Sequence, residues 1–167
     1  AHAFVDLGWD DAVFSIVLDG LPIYQRRLAE CGLSAAYADI VARDQVGRPV
    51  IDAVLMPSCE GEPDREAARA MLLSRWRSSV SRVIDPLCSE LERSLAYASH
   101  RYPRTPVQTV NVCGEGGTLP GLVERIQASL RATSVGAVAQ PAFAVPRGLA
   151  LWNERLARAD IKKEDAA

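Results

Sequence analysis

Glycines and aspartates, rather than histidines or thiols, are the residues of this chain whose spacing suits chemistry. Gly114, Gly116, Gly117 and Gly121 fall within eight positions, after the run Val110-Asn111-Val112 and before an apolar stripe at helical spacing. That pattern predicts strand, tight turn, helix. Glycines at such a turn permit positive φ and remove the Cβ, so either a ligand or another stretch of chain can approach the backbone. Both readings are open, as is a tight connection that binds nothing. A second concentration lies near the start, where Asp6-Leu7-Gly8 is followed by Trp9-Asp10-Asp11. Asp6 can cap a hairpin or face a ligand, and Asp10 and Asp11 are most simply turn residues on a wet loop. Cys113, at the end of the strand, is placed to face a ligand, although small buried cysteines more commonly just pack.

The elements that must position these residues are read from composition first. The chain has 167 residues, 49% of them hydrophobic, which is material for one core. Net charge is -2 with both signs interspersed, so no basic surface exists to neutralise a nucleic-acid backbone. Cys31, Cys59, Cys88 and Cys113 form no C-x-x-C pair, and His2 and His100 read as surface residues. Neither a zinc site nor a disulfide framework is indicated, and reduced, cytosolic thiols fit best. No apolar run is long enough to span a membrane. The chain opens on a strand-like run without a starting Met and is expected to be part of a longer protein.

In chain order, residues 3–7, 12–18 and 22–29 read as three short strands. Asp19-Gly20 between apolar runs favours a type I′ hairpin, and the short link from Gly8 to Asp11 suggests a second antiparallel pairing. Ser34 is the expected N-cap of a helix striped by Ala36, Tyr37, Ile40 and Val41. Residues 47–64, with Gly47, Pro49, Pro57, Gly61 and Pro63, read as a loop or a weakly structured insertion. From Arg65 to His100 the stripe Trp76, Val80, Leu87, Leu91, Leu95 is helical core, with a break or kink expected at Asp85-Pro86. Residues 107–113 then form a strand. Thr118 is the expected cap of a helix carrying Leu119, Leu122, Val123, Ile126 and Leu130, with Pro120 in its first turn. A small strand near Ser134 to Val138 and a last helix to about Arg158 complete an α/β chain: a mixed sheet with a three-stranded antiparallel meander, flanked by helices.

This order and these motifs resemble the second half of the actin-like ATPases, a fold of ribonuclease H-like type. In that superfamily a D-x-G hairpin faces the nucleotide phosphates and a glycine turn ending in P-G lies against the adenosine. Here Asp6-Leu7-Gly8 and Gly114-Glu115-Gly116-Gly117-Thr118-Leu119-Pro120-Gly121 carry the likeness. Within the superfamily the chain is most similar to the PilM proteins of type IV pilus assembly, and more distantly to the actin-like cytoplasmic domain of type II secretion. The hairpin at Asp19-Gly20, the stretch Asp85 to Leu95 and the ending Phe143-Ala144-Val145-Pro146-Arg147-Gly148-Leu149-Ala150-Leu151 support this.

The resemblance implies a single actin-like lobe over 1–167, with about residues 47–104 as a helical insertion or subdomain within it. It assigns Asp6 and Gly8 to the phosphate side and Gly114, Gly116 and Gly117 to the adenosine side, on opposite walls of a cleft. Thr118, Pro120 and Gly121 shape the helix start, and Gly148 and Ala150 match small residues of a hinge-side helix. It also implies ATP and Mg²⁺ as cofactors of the full-length protein, a PilN-like inner-membrane partner, a cytoplasmic position peripheral to that membrane, and room for homo-oligomers. The role is that of a scaffold with ATP hydrolysis as its upper limit.

One departure matters. Where nucleotide binders of the superfamily place small residues after the hairpin glycine, this chain has Trp9-Asp10-Asp11. Two unit charges 6 Å apart interact by about 0.7 kcal/mol in water and about 3 kcal/mol at an effective dielectric near 20. Aspartates beside phosphates therefore oppose binding unless Mg²⁺ lies between, and half a cleft alone is expected to bind weakly or not at all. An ATP-dependent small-molecule kinase of the same superfamily is the alternative, but no catalytic base stands out. A ribonuclease H-like nuclease would need a second carboxylate where Cys113 stands. A dinucleotide site would need glycine at position 119, which is Leu119.

Overall fold

The structure, a computed structural model, describes residues 1–55, 63–130 and 133–144, with the backbone alone for 63–68 and 143. Strands β1 (His2–Leu7), β2 (Ala12–Leu18), β3 (Leu21–Leu28), β4 (Thr109–Cys113) and β5 (Ser134–Ala137) form one sheet in the order β3-β2-β1-β4-β5. The first three pair antiparallel, while β4 runs parallel to β1 and β5 parallel to β4. This is the expected mixed sheet with its meander. Asp19 and Gly20 have φ of 52° and 81°, the two left-handed residues that a type I′ turn requires.

Strand alternation decides what each face does. Ala3, Val5 and Leu7 of β1, Ala12, Phe14 and Ile16 of β2, and Val110 and Val112 of β4 are all buried in one core. Helices α1 (Ser34–Asp44), α2 (Arg48–Leu55), α3 (Pro63–Arg101) and α4 (Leu122–Ser129) supply the rest of that core through Ile40, Ile51, Leu55, Trp76, Ile84, Leu87, Leu91, Leu122 and Ile126. A fully buried Leu, Ile or Phe contributes about 1.5–3 kcal/mol, against about 0–1 for an exposed ion pair. Apolar packing, not the ion pairs along α3, therefore fixes the helices on the sheet.

Four local expectations are corrected. Ser34 is not the N-cap of α1: it is the first helical residue, Leu33 precedes it, and no side chain caps the helix. Val41 is exposed rather than part of the buried stripe. The predicted loop 47–64 contains α2, because Ile51 and Leu55, four apart, both reach the core; Gly47 accepts from the Val50 amide at 3.0 Å and Pro49 sits harmlessly in the first turn. Pro86 neither starts a second helix nor breaks the first, since α3 runs through it from Pro63 to Arg101, a continuity that the kink alternative allows. Val83, Ile84, Leu87 and Cys88 are buried on either side of the proline, and their packing outweighs one missing backbone hydrogen bond. The expected last helix, with Gly148 and Ala150, lies outside the described residues, as does Cys59.

Candidate functional site

Strands β1 and β4 are parallel neighbours, so their carboxyl ends finish side by side, with Asp6 paired to Cys113 as the last register step. The D-x-G hairpin and the glycine turn consequently form one continuous wall at the same end of the sheet. They do not face each other across a gap, which corrects the opposite-wall expectation; adjacent strands lie only about 4.8 Å apart.

Contact between the two motifs explains the glycines. Gly114 has φ of 77°, and a Cβ placed there would lie 2.4 Å from Asp6 Oδ1 and 2.7 Å from the Leu7 carbonyl oxygen. A Cβ on Gly116 would meet Leu7 Cδ2 at 2.4 Å, and one on Gly117 would meet Pro141 Cβ at 2.5 Å. The segment that approaches these glycines on their bare side is protein. The Gly114 amide also donates to the Pro141 carbonyl at 2.9 Å. A single 3-10 turn, Glu115–Thr118, follows, and α4 begins only after Gly121, whose φ is 75°. Thr118 therefore does not cap the helix; its hydroxyl donates to the Glu115 carbonyl at 2.7 Å.

The hairpin loop is tied down from the other side. Gly8 donates to the Asp11 carbonyl at 3.1 Å, while the Gly8 and Trp9 carbonyls accept from the Leu33 and Ser34 amides at 3.1 and 2.8 Å. The start of α1 thus finds its acceptors in the loop rather than in a capping side chain. This is possible because Gly32 passes directly beneath: a Cβ there would stand 2.2 Å from the Asp10 carbonyl carbon. Asp11 is held by Arg27, whose Nε donates to Oδ2 at 2.8 Å.

Side chains on the two sheet faces bracket this wall. Asp6 and Cys113 lie on the face away from the helical core, where a cavity of about 400 Å³ is lined by Phe4, Val13, Ser15 and Ala144 as well. The Cys113 thiol is pushed up to about 11 by burial and, secondarily, by the Asp6 charge; its Sγ lies 3.3 Å from the Val5 carbonyl. On the helix side an aromatic file runs from Trp9 to Tyr37 at 4.9 Å and on to Trp76 at 5.5 Å, both edge-on. Trp76 Nε1 donates to the Pro120 carbonyl at 3.3 Å, so the file joins the hairpin loop to the glycine turn through α1 and α3. The Tyr37 hydroxyl donates to Asp52 at 2.8 Å; burial first, then this bond, hold the phenol protonated well above its ordinary range.

Arg48, the first residue of α2, closes the arrangement. Its guanidinium lies 3.9 Å from the Trp9 ring centre and 5.7 Å from that of Tyr37. Its Nε is 3.5 Å from Asp52 and one terminal nitrogen is 3.7 Å from Glu115. Among the described residues no group of three or more His, Cys, Asp and Glu side chains could hold a metal ion. No helix among them is long and apolar enough to cross a membrane.

No family model and no curated protein sequence matches the chain. Solved structures do. A PilM–PilN type IV pilus biogenesis complex superposes with a TM-score of 0.62 at 19% identity, over 90% of this chain and 45% of that one. The ethanolamine utilization protein EutJ from Carboxydothermus hydrogenoformans gives 0.58 at 17%, over 90% and 48%. MreB5 of Spiroplasma citri bound to ADP gives 0.58 at 13%, over 93% and 54%. The chain adopts the actin-like ATPase fold. It spans about half the length of these structures.

Within that actin-like fold, Asp6, Gly8, Gly114, Gly116 and Gly117 come together on one wall at the carboxyl ends of β1 and β4. Sequence reasoning missed Gly32, Tyr37, Trp76 and Arg48 as parts of it. Tyr37 was visible only as part of a helix stripe, and Gly32 belongs to no motif. Trp76 was read as core, which it is, but its indole N–H is what reaches the turn. Arg48 was hidden by the loop reading of residues 47–64.

Proposed function

We propose that the chain is a PilM-like lobe, the second half of an actin-like scaffold on the cytoplasmic side of a type IV pilus or type II secretion inner-membrane assembly. Its functional feature is one wall of an adenine-nucleotide cleft at the carboxyl ends of β1 and β4. Asp6 and Gly8 serve the phosphate side, and Gly114, Gly116 and Gly117 the adenosine side. The observation that carries this reading is the direct seating of the hairpin on the glycine turn, Asp6 against Gly114 and Leu7 against Gly116. Two motifs from distant parts of the sequence meet at one end of the sheet, and the ADP held by the MreB5 neighbour and the PilM–PilN pairing support the reading.

On this reading the wall shapes a site that a second lobe completes, and a PilN-like cytoplasmic segment is the partner. Mg²⁺ would arrive with the phosphates, offsetting the charge of Asp6 and Asp10. Calorimetric titration of Mg-ATP into the full-length protein and into this chain separately tests it. Micromolar binding by the full-length protein, with none by the isolated chain, is expected. No binding by the full-length protein would remove the nucleotide from the proposal, and micromolar binding by the chain alone would contradict the half-cleft. Sequence preceding Ala1 should contain an earlier D-x-G hairpin.

A further inference from the structure

The wall as described is short of positive charge. Asp10, Asp11 and Glu115 surround it, the Gly8 amide is committed to the Asp11 carbonyl, and Arg27 is committed to the Asp11 carboxylate. Among the described residues, Arg48 is the one guanidinium that touches both the hairpin loop, at Trp9, and the glycine turn, at Glu115. We propose that Arg48 is the phosphate-contacting residue of this wall, and that it takes a nucleotide's phosphates in exchange for Glu115. This rests on the nucleotide reading above and names the charge that makes an otherwise acidic wall compatible with it.

The geometry suits an exchange. At 3.7 Å the Arg48–Glu115 pair is beyond hydrogen-bond range, and its side chains are 48% and 60% exposed, so solvent weakens it. The stack on Trp9, by contrast, fixes the plane of the guanidinium without using its N–H groups, of which Nε lies 3.5 Å from Asp52. Trp9 is in turn held by Tyr37, and Tyr37 by Asp52. A planar fork presented edge-on matches two phosphate oxygens at once, a stronger arrangement than a loose carboxylate contact. The bulky Trp9, which looked like an obstacle after Gly8, becomes the platform that aims the cation.

The test uses the full-length protein and calorimetry with Mg-ATP, Mg-ADP and adenosine. Arg48→Ala should raise Kd for both nucleotides at least tenfold and for adenosine less than twofold. Glu115→Gln should move the opposite way, tightening Mg-ATP severalfold by releasing the guanidinium. Arg82→Ala, which removes an equal charge from the surface of α3, should leave all three within twofold. Equal losses for Arg48→Ala and Arg82→Ala, equal losses for ATP and adenosine, or no gain from Glu115→Gln would each overturn the assignment while leaving the nucleotide reading intact. A wild-type protein that binds none of the three ligands would overturn both.

Discussion

The carboxylate of Asp6 rests on the bare Cα of Gly114, so closely that a methyl group there would come within 2.4 Å of Oδ1. Gly114 also has φ of 77°, so it meets two independent demands. Gly114→Ala should therefore cost about 3 kcal/mol or more, combining left-handed strain with a clash against Asp6 and the Leu7 carbonyl. Gly121 separates the two demands in part: its φ of 75° with ψ of 0° is left-handed helical, milder for a side chain than the ψ of -172° at Gly114, and nothing lies within 4 Å of its Cβ position. Gly121→Ala should cost only the strain, about 1–2 kcal/mol. Urea unfolding of both variants checks this, and equal losses would mean that the hairpin contact carries no weight.

Trp76 joins the helix to the glycine turn through one hydrogen bond. Its indole N–H reaches the Pro120 carbonyl at 3.3 Å while the ring itself is 1% exposed. Trp76→Phe keeps most of the apolar volume and deletes the donor, and should cost about 1–3 kcal/mol. Trp76→Ala adds a cavity and should cost about 3–5 kcal/mol. If the hydrogen bond matters to the turn, amide exchange at Leu119, Gly121 and Leu122 rises in the Phe variant more than at β2, a difference that loss of packing alone does not produce.

Much of this was legible because it is written in local patterns. Period-two alternation and Asp19-Gly20 gave the meander, and the glycine cluster gave the strand-to-turn connection. What escaped notice depends on residues far apart in sequence. Ser34 has a good capping type, yet the loop carbonyls of Gly8 and Trp9 reach the start of α1 first, so its side chain has no capping work to do. Pro86 has a strong local preference for a helix start, overridden by buried neighbours on both sides. α2 is short, and its Gly47 and Pro49 speak louder in sequence than Ile51 and Leu55, whose burial appears only when the sheet is present. Arg48 was lost with it. The site residues named from sequence are those that a motif fixes; Gly32, Tyr37, Trp76 and Arg48 belong to the site through packing, which no local spacing encodes.

Asp44 at the end of α1 has a side chain only 5% exposed, and its ionic partner among the described residues is Arg75 of α3. Such a pair adds little over a well-packed apolar replacement, but breaking it strands a buried charge. Arg75→Ala should cost about 3–5 kcal/mol. Adding Asp44→Asn to that variant should recover part of the loss. Thermal or urea unfolding of the single and double variants measures the coupling, and strictly additive losses would show that the two side chains do not depend on each other.

Cys113 gives the chain a stability limit on the alkaline side. Its thiol is raised from 9.0 to about 11, so above pH 9 the unfolded chain loses this proton while the folded chain keeps it. Stability contributed by the neutral thiol is thus complete below pH 9 and falls as pH rises toward 11, by about 2–3 kcal/mol at most. Cys31 and Cys88 are raised in the same direction by burial, so the wild-type slope is shared. Cys113→Ala should flatten only its portion, and the difference between wild type and variant should shrink between pH 9 and 11. Because the Asp6 charge is the secondary cause of the shift, Asp6→Asn should lower the pH at which Cys113 reacts with iodoacetamide. An unchanged alkylation profile in Asp6→Asn would show that burial alone protects the thiol and that the Asp6 charge does not reach it.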